Sequence, residues 1–277
     1  MRYFVFYFLL LVTVFPAGLP AQDMHSPENI EKFADYLFCL KDYLRAAYEY
    51  ENCLTSVNND TVKFKLALSY RYIGEYKKAS EAFLSVYPAF NSLPEYYNTL
   101  LIQGDYSTLQ STYTAASAEQ QSIFPVKQLY LYSFLFSGTN LPGIYEYENA
   151  FNKNDTIISF YKIKSDPPYR SPAIAAVMSA IIPGSGKIYT GQYGDGITAF
   201  LVSGVLAYLS WANFDAHHNF RGWLFSGLTA MFYGGNIYGS AASAQLFNAG
   251  VKISLDNQLK AYLDGENNFM PEYDFCR

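Results

Sequence analysis

The sequence predicts an all-α protein, in which a solenoid of helical hairpins is followed by a small bundle of apolar helices. Residues 26–151 repeat a pattern of small and aromatic side chains, with a period of 33 between Tyr43 and Tyr76. Residues 171–250 contain two long stretches without a charged side chain. Capping residues, prolines and glycines stand where such helices would begin and end.

The composition separates a charged part of the chain from an apolar part. Hydrophobic residues make up 51% of the 277 residues and charged residues 16%. In soluble domains, charged residues make up about a quarter of the chain. Charged side chains are frequent from Glu28 to Arg170 and sparse from Ser171 to Gly250. A net charge of -5 without a basic cluster predicts no binding to nucleic acid.

Residues 1–21 have the pattern of a secretory signal peptide. Arg2 precedes an apolar run from Tyr3 to Phe15, and Ala21 supplies a small residue at the cleavage point. The run is shorter than the about 20 residues of a membrane span, so cleavage is favoured over an uncleaved anchor. The residues that follow are then expected on the periplasmic side of a bacterial inner membrane.

The second helices of the predicted hairpins share one pattern. A small residue at position i and an aromatic residue at i+4 lie on the same helix face, so a partner helix can approach at the small residue. The matching positions are Tyr43, Ala46 and Tyr50 in the first copy and Tyr76, Ala79 and Phe83 in the second. A third, shortened copy is predicted from Asp105 to Ala116, and a fourth follows by periodicity only, from Lys127 to Lys153.

This pattern resembles the tetratricopeptide repeat, a helix pair of 34 residues. The resemblance implies that the first helices line a groove that holds extended segments of partner proteins. Asp35 and Phe38 of the first copy, with Arg71 and Tyr72 of the second, would then face a protein partner. The alternative is that they are ordinary surface side chains in a chain with 27 Tyr and 22 Phe.

The three cysteines form an odd set, which suits no disulfide framework. Cys39 and Cys53 are expected toward opposite ends of neighbouring antiparallel helices, on the order of 15 Å apart and beyond disulfide reach. With Cys276, they are predicted to be buried and unpaired. Residues 152–170 are predicted to form a linker, because the periodicity fails there and Asp166-Pro167-Pro168 cannot continue a helix.

Residues 171–250 are predicted to form a transmembrane helix bundle. Ser171-Pro172 is a helix start signal, and the helix that follows reaches about 17 Å, roughly half of the hydrocarbon layer. The stretches 196–214 and 222–251 carry no charge, and each is long enough to cross. Residues 251–277 are predicted to be an amphipathic segment and a tail.

A glycine-rich hairpin lies between the half-length helix and the first span. Asn236 lies beside a stripe of Gly235, Gly239 and Ser243 and is expected to bond across to this hairpin. The motif and its order resemble a group of small bacterial membrane domains of unassigned function, often fused to repeat domains, and imply an architecture and no reaction. The matching residues are Pro183, Gly184, Gly186, Tyr189, Gly191, Gly196, Gly235, Asn236, Tyr238 and Gly239. Lys187 departs from this pattern, which would have Gln there.

No catalytic residue, metal ligand or cofactor is predicted. A phosphate-binding loop at Gly184–Lys187 would need Gly and Ser or Thr where Ile181 and Ile188 stand. A nucleophile elbow around Ser185 fails in the same way, since its flanking glycines are replaced. The pair His217-His218 is more typical of a solvated turn than of a metal site.

Two functions stay open. The first is a membrane-anchored cell-envelope scaffold or adaptor that binds a protein partner through its repeats. Its membrane helices would contact lipid and could join an oligomer or a larger complex. The alternative is a component of a membrane channel or transport complex built on the glycine-rich hairpin and the transmembrane helices, in which the hairpin and Asn236 line a polar path. Lys162, Lys164 and Arg170 would favour a cytoplasmic repeat, but a translocated domain crosses largely regardless of its charge, so the signal peptide is given more weight.

Overall fold

The computed structural model describes residues 25–265 and 273–276, and this part of the chain is helical without a strand. The all-α prediction is confirmed for these residues, whereas the predicted signal peptide of residues 1–21 lies outside them. The chain divides into two compact units. The first comprises Met1–Thr112 and Met270–Arg277, and the second Tyr113–Phe269. The predicted linker at residues 152–170 therefore falls inside the second unit.

In the first unit, each helix packs against the next from α1 to α5. The helices are α1 (Pro27–Cys39), α2 (Tyr43–Ser56), α3 (Asp60–Tyr72), α4 (Tyr76–Val86) and α5 (Ser92–Gln103), with α6 (Tyr106–Ala115) running into the second unit. The repeated small and aromatic positions form the core between them. Ala46, Tyr50, Ala79 and Phe83 are all fully buried.

The turns after α1, α3 and α5 share one backbone geometry. One residue in each turn adopts positive φ, at 61° in Lys41, 84° in Gly74 and 80° in Gly104. The next amide in each case donates back to a carbonyl five residues earlier, at 2.9 to 3.0 Å. This left-handed turn closes a helix with its last carbonyls satisfied, and its recurrence explains the spacing of 33 and then 30 residues.

Two of the three cysteines are joined, which corrects the prediction that all are unpaired. Cys39 at the end of α1 forms a disulfide with Cys276, with their Cα atoms 5.6 Å apart. Only Cys53 is a free thiol among the described cysteines, and it is buried, as predicted. The partner of Cys39 is not on the neighbouring helix but lies 237 residues further along the chain, so the spacing of adjacent helices does not predict the bond.

The second unit contains eight helices within its described residues, besides the end of α6. They are α7 (Ala118–Ser122), α8 (Phe124–Ser137), α9 (Ile144–Ala150), α10 (Asp155–Ser165), α11 (Pro172–Ile181), α12 (Ser185–Tyr189), α13 (Tyr193–Asp215) and α14 (Asn219–Gly265). The long helix α14 packs against α13, α11 and α12, and its C-terminal part packs against α10. It runs unbroken through residue 251, where the sequence predicted the start of a separate segment.

The predicted linker contains a helix, α10, so that prediction is wrong for most of its length. The Asn154 side chain caps the helix by accepting from the amides of Thr156 and Ile157 at 3.0 and 3.2 Å. Phe160 is buried on the inner face and meets Tyr262 edge to face. A local cap and two buried apolar residues, Ile157 and Phe160, therefore favour a helix where no repeat periodicity is visible.

One helix among the described residues, α13, is long and apolar enough to cross a membrane, and 11% of its most apolar window is buried. The shorter α11 is also apolar. Helix α14, predicted as a second span, does not reach the same mean hydropathy, since its uncharged part is rich in Gly, Ala, Ser and Asn. It nevertheless exposes large apolar side chains, with Trp223 71% and Met231 78% exposed.

Candidate functional site

The structure brings two of the predicted groove residues into one aromatic cluster. Phe38 meets Tyr43 and Tyr72 edge to face, with ring centroids 5.1 and 5.8 Å apart. Tyr43 and Tyr72 stack on each other at 4.5 Å. Helices α1, α2 and α3 therefore meet at a shared aromatic surface, and Tyr72 remains half exposed beside it.

Asp35 belongs to a nearly buried charge cluster next to these rings. The Lys65 ammonium lies 2.8 Å from a carboxylate oxygen of Glu31 and 2.8 Å from one of Asp35. The Tyr50 hydroxyl donates to the other oxygen of Asp35 at 2.6 Å. Burial, followed by this hydrogen bond, raises the pKa of Tyr50 above its ordinary value, so the hydroxyl stays protonated.

Arg71 pairs with Glu95, a residue that the sequence patterns do not single out. Glu95 is fully buried in α5, and one carboxylate oxygen accepts from the Arg71 guanidinium. The other oxygen, Oε1, has no hydrogen-bond partner in the described part of the chain. Glu95 is the single carboxylate among the apolar residues of the first turns of α5. This position indicates a buried ion pair, because a buried charge needs a partner.

A segment of the chain itself, without regular secondary structure, lies against these residues. This segment, called the tail below, is residues 273–276, and it belongs to the first unit. The Phe275 ring meets Phe38 edge to face at 5.1 Å, and the Lys65 ammonium lies 5.1 Å from its centroid. The Tyr273 ring meets Phe64 edge to face at 5.0 Å. We define the groove as the surface lined by Asp35, Phe38, Phe64, Lys65 and Glu95.

The groove keeps an open pocket beside the tail. A cavity of about 200 Å³ lies next to the disulfide. It is lined by Lys32, Asp35, Tyr36, Cys39, Phe275 and Cys276. Of the four predicted groove residues, Asp35 and Phe38 therefore face the tail directly, while Tyr72 supports Phe38 and Arg71 holds Glu95.

In the second unit, the glycine-rich hairpin brings backbones into direct contact. A Cβ on Gly186 would lie 1.9 Å from the Ala175 carbonyl oxygen, and one on Gly184 would lie 1.9 Å from that of Gly196. Gly184 and Gly191 also have φ of 84°, which favours glycine. The hairpin therefore needs glycine at these positions for closeness or for backbone conformation.

Tyr189 and Pro183 shape the two ends of this hairpin. The Tyr189 hydroxyl accepts from the Ser171 amide at 3.4 Å, and the Arg170 guanidinium lies 4.9 Å from the centre of its ring. Pro183 directly follows Ile182, the residue that caps the end of α11. Both residues thus hold the entry and exit of the half-length helix.

Of the predicted small-residue stripe on α14, only Ser243 faces inward, and the two glycines lie one position away from the buried Asn236 and Ser240. A Cβ on Gly235 would meet no described atom within 4 Å, one on Gly239 would meet only the Lys187 Cε at 3.7 Å, and Tyr238 is 78% exposed. The buried face instead carries polar residues. These are Asn236, Ser240 and Ser243, followed by Ala244.

Hydroxyl pairs, and not Asn236, connect α14 with the half-length helix and the hairpin. The Ser240 and Ser179 hydroxyls lie 2.7 Å apart, and the Ser179 hydroxyl also accepts from the Gly186 amide at 3.0 Å. Ser243 forms the equivalent pair with Thr190. Asn236 is 5% exposed, and neither of its amide atoms has a hydrogen-bond partner among the described residues. The predicted bond from Asn236 to the hairpin is therefore wrong.

No group of three or more His, Cys, Asp and Glu side chains is placed to hold a metal ion within residues 25–265 and 273–276. Compared with known proteins, the chain matches no family model, no curated protein and no solved structure. Function is therefore inferred from the groove, the tail and the apolar helices.

Proposed function

We propose that the protein is a membrane-anchored scaffold or adaptor of the bacterial cell envelope, which binds a protein partner through its tetratricopeptide-like repeats. The observation that carries this proposal is the groove, which accommodates a short chain segment between aromatic and charged side chains. Aromatic anchors around a desolvated charge pair are typical of protein interfaces. A segment of another protein can use the same contacts that the tail uses.

The exposed apolar helices of the second unit support the membrane anchor. Large apolar side chains cover α11, α13 and α14, and polar side chains are turned inward as hydroxyl pairs. This distribution is the reverse of a water-soluble bundle and fits lipid surroundings. Helix α13 would cross, the short α11 would dip into the layer, and the uncharged part of α14 would complete the bundle.

The disulfide supports export of the first unit. Disulfides persist in oxidising compartments such as the bacterial periplasm and are rare in the cytosol. The Cys39–Cys276 bond therefore agrees with the proposed signal peptide at residues 1–21 and with a periplasmic repeat domain at the inner membrane.

Cell fractionation with site-specific photo-cross-linking tests both parts of this proposal. A photoreactive residue at Tyr36, which lines the groove pocket, is compared with one at Tyr145, exposed in the second unit. We expect the full chain, carrying Cys276→Ser so that the tail is not locked in the groove, in the carbonate-resistant membrane pellet, with a cross-linked product of defined mass from position 36 only. A chain that stays in the supernatant without detergent, or equal products from both positions, contradicts the proposal.

A component of a membrane channel or transport complex is the second candidate, because the bundle contains a buried polar face. Asn236 and Ser203 are each 5% exposed, and their side-chain polar atoms have no partner within the described chain. In this candidate, these atoms would line a path for a polar solute. Solute flux from proteoliposomes that is abolished by Asn236→Leu would favour it over the scaffold, and absence of flux would remove it.

A further inference from the structure

We propose that the groove binds extended protein segments with two aromatic side chains separated by one residue, and that the tail is the resident ligand which such a segment must displace. This inference rests on the proposed function, because it names the partner chemistry of the same groove. The tail is seated there by its own two rings, so its contacts define what the groove recognises.

The groove offers two ring sites at the spacing of alternate residues. Tyr273 meets Phe64, and Phe275 meets Phe38 beneath the Lys65 ammonium. The Tyr273 and Phe275 rings stack on each other with centroids 6.3 Å apart, so both lie on one side of the tail and can enter one surface together. Edge-to-face packing and a cation over a ring face are specific for aromatic side chains, and an aliphatic residue would lose both.

The residue between the rings is not read by the groove. Asp274 is exposed, and its carboxylate accepts from the Cys276 amide at 2.9 Å within the tail itself. The recognised sequence is therefore aromatic, any residue, aromatic. An acidic middle residue helps only by stabilising the conformation of the segment.

The first ring site favours Tyr over Phe. The Tyr273 hydroxyl and the Glu95 Oε1 atom are both buried, and neither has a hydrogen-bond partner of normal geometry among the described residues. Burial and then the Glu95 carboxylate raise the pKa of Tyr273, so its hydroxyl remains a donor. A ring with a donor at its tip can satisfy the buried acceptor, whereas Phe leaves it unpaired.

The disulfide determines when the groove is open. While Cys276 is bonded to Cys39, the tail cannot leave, and a partner segment is excluded. A protein dithiol would open the bond: the dithiol is oxidised to a disulfide, and Cys39 and Cys276 each take up one electron and one proton to become thiols. The released tail still competes in cis, at an effective concentration of roughly millimolar order.

Fluorescence anisotropy with a labelled heptapeptide tests the inference on the full chain in detergent micelles. The probe has the sequence of residues 271–277 with Ser in place of Cys, and the control peptide has Ala in place of both aromatic residues. The groove is vacated by combining Tyr273→Ala, Phe275→Ala and Cys276→Ser. We expect no binding to the oxidised wild type and saturable, micromolar binding to the vacated variant.

Three comparisons sharpen this expectation. The control peptide should bind the vacated variant at least tenfold more weakly than the probe does. Adding Phe38→Ala to the vacated variant should weaken binding of the probe at least tenfold. A probe with Phe at its first aromatic position should bind the vacated variant several-fold more weakly than the original probe. The probe should bind the single variant Cys276→Ser more weakly than it binds the vacated variant, because the released tail competes for the groove in cis.

Defined results overturn the inference. They are a vacated variant with wild-type circular dichroism that does not bind the probe, equal binding of probe and control peptide, or a wild type that runs as a disulfide-linked dimer. A partner cross-linked at position 36 without probe binding would overturn this inference and leave the proposed function standing. Probe binding to a protein that fails to enter membranes would contradict the proposed membrane anchor and leave this inference standing.

Discussion

Asn236 illustrates how much a single amide can cost inside an apolar bundle. Its side chain has two donors and a carbonyl acceptor, and it is 5% exposed, with no partner for either polar atom in the described part of the chain. Leaving such a group unsatisfied costs about 1–3 kcal/mol. A residue that destabilises its own helix pair is a candidate for function, which is why the polar face of α14 sustains the transport alternative.

Replacing Asn236 by Leu should therefore stabilise the protein. We expect the free energy of unfolding to rise by about 1 kcal/mol or more, because the unpaired amide is lost and Leu keeps the same branching at Cγ. The matched control is Asn248→Leu, which removes two hydrogen bonds to the Arg170 backbone, at 2.7 and 2.9 Å, and should destabilise. Thermal unfolding in detergent micelles measures both, and a destabilised Asn236→Leu would mean that the amide has a partner.

Tyr50 links the stability of the first unit to alkaline pH. Its pKa is raised in the folded state, first by burial and then by Asp35, so the unfolded chain loses the proton first. The stabilising contribution is complete below the ordinary pKa of about 10 and is lost as pH rises above it, toward the raised folded value.

Tyr50→Phe should flatten this alkaline loss. Removing one such proton reduces the slope of the unfolding free energy by up to about 1.4 kcal/mol per pH unit above pH 10. At pH 8 the variant should be less stable by about 1 kcal/mol, because Asp35 loses its 2.6 Å hydrogen bond. Melting temperatures at pH 8, 10 and 11 measure both effects, and parallel curves for the two proteins would refute the assignment.

At the scale of the elements, the crossing of α11, α12 and α14 depends on which small residues face inward. Gly186 touches the backbone of Ala175, whereas Gly235 faces open space within the described chain. A methyl group at position 186 collides with a carbonyl oxygen that cannot rotate away, but one at position 235 meets none of the described atoms.

Gly186→Ala and Gly235→Ala should therefore shift stability in opposite directions. We expect Gly186→Ala to lower the unfolding free energy by about 3 kcal/mol or to prevent folding, since the overlap is with backbone. Gly235→Ala should raise it by about 0.5–1 kcal/mol through helix propensity. The fraction of monodisperse protein after detergent extraction and its melting temperature distinguish the two variants. If Gly235→Ala is destabilised, Gly235 packs against a neighbouring helix, as the sequence predicted.

The sequence predicts where helices form better than it predicts which face of each helix is buried. In the first unit, small and aromatic residues alternate with charged ones, so Ala46, Tyr50, Ala79 and Phe83 were correctly placed in the core. In the uncharged part of α14 most residues are apolar or small, and glycine spacing selected Gly235 and Gly239 on an exposed side, with only Ser243 facing inward. The usable signal was the polar spacing of positions 236, 240 and 243, because polar residues of an apolar helix turn inward.

At the scale of the whole chain, the least predictable feature is the return of the tail to the first unit. The groove residues Asp35 and Phe38 could be selected from a repeat resemblance, but their occupant lies 237 residues beyond Cys39. No local periodicity connects segments at that separation, and four residues carry too little pattern to predict a binding site. The apolar stretch, by contrast, is visible at this scale because it depends on composition alone.

The disulfide closes a loop that includes the entire second unit. Denatured, unreduced protein should take up one alkylating group, on Cys53, and three after reduction. Loop-closure entropy for 237 residues sets an upper estimate of about 5 kcal/mol for its stabilisation. We expect reductant to lower the melting temperature of the wild type and to leave Cys276→Ser, already destabilised, unchanged. Mass spectrometry that finds three free thiols without reduction would disprove the bond, and with it the closed state of the groove.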